Sequence, residues 1–493
     1  MSSLGMVNVL KLLELADRLC EDLAGYTESA VATALGPVGM AGIAREQRLP
    51  GICSVDRNPS RMALVAALFM LGGRLSLEEY EQVLPSIPLE EAIEAGLVTD
   101  SIRSCIAIRP VPVDDRHGGG ELLIASDLGP LQGKAPSTDH VMPVGGATKT
   151  LASLTSFEAG QTVLDLGTGC GYHALLAAKA GAKVVTTDVS ERALAFTKLN
   201  ASLAGLEVET RLGSLYEPAP ERFDRIVSNP PFVITPAKVR AMIGTFEYRD
   251  GGVEGDSLLQ EAIVGTKDHL TEDGIAWMLG NWQVAADVTS GSFGEAWKQP
   301  VEEWLGDQKA WVVLRDAIDP AQYAEMWLRE SQLTGSAYDS AYCVWLGESA
   351  KDTSIAFGYL TIAAEDGPQR LEDYRGPIAD TFVDSTWAGL ELAGASDQEL
   401  LAMRLVSKAV LETRLHTPGQ PDPWHISITA HGREIPVSAE VAGFLGASDG
   451  ELTTGQIIAA LAQLLSVPED EMTEAVLPAV RELIGAGALV LGG

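Results

Sequence analysis

Two adjacent prolines end an apolar run in this chain, and they constrain the fold more than any other feature. Ile226-Val227-Ser228 reads as a buried strand, and Asn229-Pro230-Pro231-Phe232 follows it directly. Two prolines remove two backbone donors and fix φ twice, so the segment cannot continue a sheet. It forms a rigid corner instead. Such a corner leaves the Asn229 side-chain oxygen and the Pro230 carbonyl as two acceptors facing one point. That pair suits a planar NH2 group, and Phe232 supplies a face on which a flat substrate stacks.

The upstream sequence gives the corner its setting. Thr162-Val163-Leu164-Asp165-Leu166 reads as a buried parallel strand and breaks into Gly167-Thr168-Gly169-Cys170-Gly171. The stretch from Tyr172 to Ala180 is rich in Ala and Leu and reads as a helix. Strand, glycine turn and helix make the nucleotide-cofactor unit of α/β folds, here spaced Gly-x-Gly-x-Gly. The glycines let backbone approach a ligand, and the helix start offers unpaired N–H groups. A second strand, Ala182 to Thr187, ends in Asp188, 21 residues beyond Gly167. About 20 residues is the interval expected for a carboxylate that grips ribose hydroxyls. A third strand around Val208 to Leu212 leads to Gly213-Ser214-Leu215, and a fourth, Phe223 to Val227, delivers the proline corner. All these turns fall at strand C-termini, where open α/β sheets bind ligands.

In this order the pieces resemble a class I S-adenosylmethionine-dependent methyltransferase over roughly residues 140 to 285. The Asn-Pro-Pro-Phe motif is similar to that of members methylating planar or exocyclic nitrogens. These are the glutamine-amide methyltransferases of the release-factor type, the small-domain enzymes acting on guanine amines of ribosomal RNA, and the adenine amino-methyltransferases. The resemblance implies a Rossmann-like seven-stranded α/β sheet and S-adenosyl-L-methionine as cofactor. It implies that Asp165, Gly167, Gly169 and Gly171 line the methionine moiety, with Thr168 in the same turn. Asp188 would hold the ribose, and Ser214 and Leu215 would meet the adenine. Asn229 and Pro230 would bind the target nitrogen, with Pro231 in the corner and Phe232 stacking. Many relatives carry an acidic residue where Ser214 stands. Tyr248-Arg249-Asp250-Gly251-Gly252 loosely resembles a glycine-containing loop of the glutamine-amide enzymes. No metal site is expected. The rival for Asp188 is a cap on the Glu191–Leu199 helix. His173 reads as a packing or surface residue, His140 as a loop residue with a lid over the cofactor as its alternative, and Cys170 as a small residue in a tight turn.

Composition selects among acceptors. The chain has 35 basic and 68 acidic residues and a formal net charge of −33. Such a surface repels polyanions, and non-specific nucleic-acid binding depends on neutralising phosphates. The acceptor expected is therefore a protein glutamine amide, with an exocyclic base amine of rRNA or DNA as the alternative and a non-catalytic cofactor-binding regulator as a second. Arg45, Arg48, Arg57 and Arg61 read as a basic island on a solvated helix face. Five scattered cysteines imply reduced thiols and a cytoplasmic protein. No segment has the length of a membrane span, and the N-terminus has no basic start or signal-peptide core.

At 493 residues the chain holds several domains. Residues 1–126 read as helices plus a hairpin, Ser104 to Val113 and Glu121 to Ser126, with a flexible tip at 114–120. Residues 127–366 hold the catalytic sheet, with further strands at Gly274–Gly280, Ala310–Leu314 and Thr353–Ala363. Gly367 to Gly376 reads as a linker into an accessory region, 367–493. That region ends in helix (Thr453–Leu465), helix (Glu469–Ile484), glycine stop and strand (Ala488–Val490). Both flanking regions are expected to be mainly helical and winged-helix-like.

Overall fold

The computed structural model describes residues 9–231, 233–246, 249, 255–285, 294–331, 333–349, 353–376, 378 and 380–492. The chain forms two compact units. The first comprises residues 1–306 and 316–364, and the second comprises residues 307–315 and 365–493.

The first unit opens with helices, among them Glu28–Ile43, Leu49–Arg57, Arg61–Phe69 and Leu77–Val83. The last has a reciprocal capping box between Ser76 and Glu79. The Glu28–Ile43 segment is bent at Gly36 (φ 67°) and Pro37, which hides its helical period in the sequence. Arg45 and Arg57 of the basic island are exposed, as expected of a solvated face, but Arg48 and Arg61 are half-buried. The Arg61 guanidinium donates to the carbonyls of Gln82, Val83 and Asp22, and Arg48 donates to the Gln132 carbonyl. These arginines cap chain ends that would otherwise leave carbonyls unpaired.

Strands β1 (Ala107–Pro112) and β2 (Glu121–Ser126) pair antiparallel in continuous register. The tip between them is anchored, contrary to expectation. Its His117 is buried, with Nε2 2.9 Å from the Ala152 carbonyl and the ring 5.7 Å from Phe157. A half-apolar ring offers this anchorage where three successive glycines suggested slack.

Strands β3 (Thr162–Leu166), β4 (Lys183–Asp188), β5 (Glu209–Leu212), β6 (Phe223–Ser228) and β7 (Leu270–Val284) follow. Strand β8 (Gln308–Ile318) precedes β9 (Ser354–Asp366). Within the first unit the order is β9-β7-β6-β3-β4-β5. Strands β3 to β7 pair in parallel and β9 is antiparallel to β7. The chain starts at β3, steps to β4 and β5 on one side, then crosses to β6 and β7 on the other. The reversal between β3 and β6 is a topological switch point. Side chains fix the β3–β6 register at both ends. The Asp224 carboxylate accepts from Thr162 N–H (2.7 Å), Thr162 Oγ1 (2.8 Å) and Thr271 Oγ1 (3.1 Å), and Ser228 Oγ donates to the Leu166 carbonyl (3.0 Å).

Ala310–Leu314, expected as a sixth strand, form part of β8, and within the second unit they pair in parallel with β10 (Gln369–Asp373). The stretch expected as a linker thus contains a strand. Its alternating charge resembles a loop, but the charges are paired. Glu372 is mostly buried, bonded to Arg370 (2.9 Å), Arg433 (2.7 Å) and the Trp311 indole (2.8 Å). The second unit also contains the Thr454–Leu465 and Glu469–Gly485 helices and a terminal strand after Gly487, matching the expected succession of elements. Its core gathers Leu405, Phe444, Ile457, Val476 and Val480. A three-stranded sheet over Ala409–His416, Pro423–Ala430 and Arg433–Pro436 had no counterpart in the sequence reading.

One buried amide joins the hairpin to the catalytic sheet. Asn200, fully buried on the Glu191–Ala204 helix, donates from Nδ2 to the carbonyls of Ala125 (2.9 Å) and Cys170 (2.8 Å), and its Oδ1 accepts from Ala125 N–H (2.7 Å). Asn200→Leu strands three buried backbone groups and is expected to cost about 2–4 kcal/mol. Urea unfolding followed by tryptophan fluorescence checks this; an unshifted midpoint would contradict it.

Candidate functional site

A cavity of about 230 Å³ lies at the C-terminal ends of β3, β4 and β6. It is built from turns that the strand register places side by side. Leu166 pairs with Ser228, so the residues after each strand, Gly167 and Asn229, leave the sheet as neighbours. A Cβ on Gly167 would stand 3.9 Å from Pro230 Cα, a close approach between the glycine turn and the proline corner. Gly167 (φ 70°), Gly169 (φ 56°) and Gly171 (φ 82°) all adopt left-handed backbone. At Gly171 a side chain is also excluded by contact, since a Cβ would meet Thr197 at 2.8 Å. Thus the glycine pattern serves turn geometry and helix packing together.

Asp165 is buried beneath this turn. Thr168 Oγ1 donates to its Oδ2 at 2.7 Å. Burial pushes the Asp165 carboxyl up to about 7, against the pull of the Thr168 and Ala174 bonds, and nearby Asp188 adds to the rise. Asp188 accepts from Gly169 N–H (3.0 Å) on one oxygen and from Ser190 N–H (2.9 Å) on the other. It therefore shapes both the glycine turn and the entry to the next helix, but it is not that helix's N-cap as the alternative held, since Ser190 occupies that position. It also lines the cavity, and a carboxylate has about four acceptor sites. Beyond β5, Ser214 is exposed at the cavity edge, and Leu215 takes a left-handed φ of 46°, its carbonyl accepting from Thr187 Oγ1 at 3.0 Å.

Asn229, Pro230 and Pro231 line the same cavity. Asn229 Oδ1 is shielded from solvent and makes no hydrogen bond to a described residue. A buried amide oxygen without a donor is uncommon, and its natural partner is a ligand N–H. Phe232 lies outside the described residues, as do Tyr248 and 250–252 of the glycine-containing loop. Arg249 is buried. Its carbonyl accepts from Val233 N–H (2.8 Å) and its guanidinium lies 4.5 Å from the Phe246 ring centroid, so it braces the segment after the corner. Tyr323 does the same from another side, its hydroxyl accepting from Ile234 N–H (2.9 Å) and from Asn281 Nδ2 (2.7 Å).

The opposite wall comes from His140, Val141, Met142 and Pro143. Its anchor escaped the sequence reading. Asp127 exchanges bonds with Val141 through the backbone (3.1 Å) and through Oδ2 (2.9 Å), and the Arg192 guanidinium grips the same carboxylate. The signal was present only as two charges 65 residues apart. His140 lies in a loop, as expected, and is buried in this wall. His173 is buried too, and lines the cavity. Cys170 is buried and its thiol is pushed up to about 12 by burial, which makes it an inert packing residue.

Residues 144–298 match the family described as methyltransferase small domain, and residues 23–107 match a domain of unknown function, DUF7059. The chain is 37% identical over 136 residues to the release factor glutamine methyltransferase of Bordetella pertussis, covering 26% of this chain and 50% of that protein. It is 35% identical over 128 residues to the release factor glutamine methyltransferase of Gloeobacter violaceus, covering 24% and 44%. It is 31% identical over 156 residues to the ribosomal protein uL3 glutamine methyltransferase of Burkholderia pseudomallei, covering 28% and 50%. The chain spans about half the length of these curated relatives, or slightly less.

The raised Asp165 carboxyl predicts a pH dependence. A group whose folded value exceeds its unfolded one, about 3.9, stabilises the fold fully below that value. The contribution is lost as pH rises towards and through about 7. Comparing wild type with D165N at each pH from 4 to 8, hydrogen exchange of the β3 amides should show wild type losing protection relative to the variant. A constant difference would refute the assigned shift.

Proposed function

We propose that this chain is an S-adenosylmethionine-dependent N-methyltransferase whose acceptor is a glutamine side-chain amide of a protein. The observation that carries the reading is the partnerless Asn229 Oδ1, held in a cavity beside a left-handed glycine turn. The residues present fit the cofactor. The glycine turn keeps side chains away from the site, Asp188 stands where ribose hydroxyls would be held, and Ser214 and Leu215 border the adenine end. Asp165 and Thr168 support the turn from below.

The bound cofactor supplies an activated methyl group on a sulfonium. The harder problem is the acceptor, since an amide nitrogen has a delocalised lone pair. Asn229 Oδ1 and the Pro230 carbonyl accept its two N–H groups and orient it, with Pro231 keeping the corner rigid and Phe232 offering a stacking face. Those bonds strengthen as positive charge grows on nitrogen, which favours the transition state over the bound substrate. Positioning of this kind contributes up to roughly 7–11 kcal/mol. No strong base is required, because the methylated nitrogen sheds its proton readily.

A protein acceptor fits the charge of −33 better than a polyanion does. Glutamine methylation is also what the names of the matched relatives state of those proteins. Residues 127–366 form the catalytic region in this reading. Residues 1–126 and 367–493 are winged-helix-like modules that present the acceptor protein. The site of action is the cytoplasm.

Asn229→Ala is expected to reduce methyl transfer by at least a hundredfold, on the scale of losing one oriented acceptor, while calorimetry shows cofactor affinity within about twofold. Equal loss of both would contradict the acceptor role. Asp188→Ala should instead weaken cofactor binding by tenfold or more, the cost of one charge-assisted bond; unchanged affinity would remove Asp188 from the site.

A further inference from the structure

His173 is an imidazole without a hydrogen-bond partner among the described residues. It stands in the first turn of the Tyr172–Lys179 helix, is 5% exposed and lines the cavity. Neither ring nitrogen makes a hydrogen bond to a described residue. Its ring contact is the edge of Tyr172, 5.9 Å between centroids. Packing alone would be served by leucine or phenylalanine at lower cost, since two buried polar atoms without partners are strongly disfavoured. Burial, with His117 nearby, depresses its basicity to about 3, so the ring is neutral and carries one N–H donor and one acceptor.

The surroundings select the partner. The helix begins at Gly171, which has left-handed backbone and no side chain, and Asp165 beneath the turn accepts from the Ala174 N–H of the first turn. The helix dipole favours negative charge at this end. A neutral imidazole donor in the same turn favours an acceptor. Asp188, Ser214 and Leu215 border the other end of the cavity, beyond β4 and β5. The end near His173 therefore suits an anionic group and the far end a nucleoside.

We infer that His173 is a ligand-binding residue whose ring N–H donates to the carboxylate of the cofactor's amino-acid tail, making its affinity specific for ligands that carry this tail. The inference rests on the reading of the cavity as an S-adenosylmethionine site. It assigns a role to a side chain that the glycine motif does not require.

The test uses the 493-residue chain and two probes that share the adenosyl thioether. S-adenosylhomocysteine has the amino-acid tail, and 5′-methylthioadenosine lacks it. Calorimetry should show H173F, which fills the space without a donor, binding S-adenosylhomocysteine on the order of tenfold to a hundredfold more weakly than wild type. Affinity for methylthioadenosine should stay the same. H173Q, which restores an N–H, should recover much of the loss. Equal weakening towards both probes would overturn the inference by showing a structural role, and unchanged S-adenosylhomocysteine affinity in H173F would overturn it outright. Failure of wild type to bind either probe would instead overturn the cofactor reading, and the inference with it.

Discussion

The pairing of Leu166 with Ser228 is the constraint on which the rest of the site depends. Because β3 and β6 are parallel neighbours in that register, the glycine turn and the proline corner leave the sheet at the same height. Ser228 Oγ secures the end of the pair against Leu166, and Asp224 secures its beginning. A shift of one residue would turn every side chain of β6 to the opposite face. Asn229 would then point away from the cavity. Sheet register, not any single catalytic group, therefore places the acceptor oxygen.

A second layer keeps the cavity walls in place. Asn200 ties the β1–β2 hairpin to the glycine turn through the carbonyls of Ala125 and Cys170. Asp127, just beyond β2, holds Val141 and is itself held by Arg192. The anchored tip at His117 fixes the same hairpin from its other end. The hairpin and the residue after it thus support one wall of the cavity, through Asn200 and Asp127. Arg249 and Tyr323 brace the corner's exit in the same manner. Each contact is long-range in sequence and polar, so it specifies one arrangement where apolar packing would tolerate several.

Local chemistry made much of this legible in the sequence. The glycine turn follows from φ values only glycine accepts readily, the Asp188 position from the length of one strand–helix–strand unit, and the corner from two prolines. These are short-range rules, and they hold at Gly171, Asp188 and Asn229. The misses share a cause. Asp127 with Arg192, Asn200 with Ala125, and Glu372 with Arg433 pair residues distant in sequence, where no period or motif points. The Gln369–Asp373 strand was hidden because its charges look solvated until their partners are known. His117 was hidden because glycines beside it suggested slack. The bend at Gly36 and Pro37 broke a helical pattern that is otherwise present.

The account turns on one flat nitrogen held by oxygens at the end of β6. Its most direct test is to find where a labelled methyl group goes. Purified protein would be incubated with isotope-labelled S-adenosylmethionine and with separate cellular protein and RNA fractions, and the modified atom located by mass spectrometry. The account predicts label on a glutamine side-chain nitrogen in the protein fraction. Label confined to RNA, or to an oxygen or carbon atom of any acceptor, would contradict it.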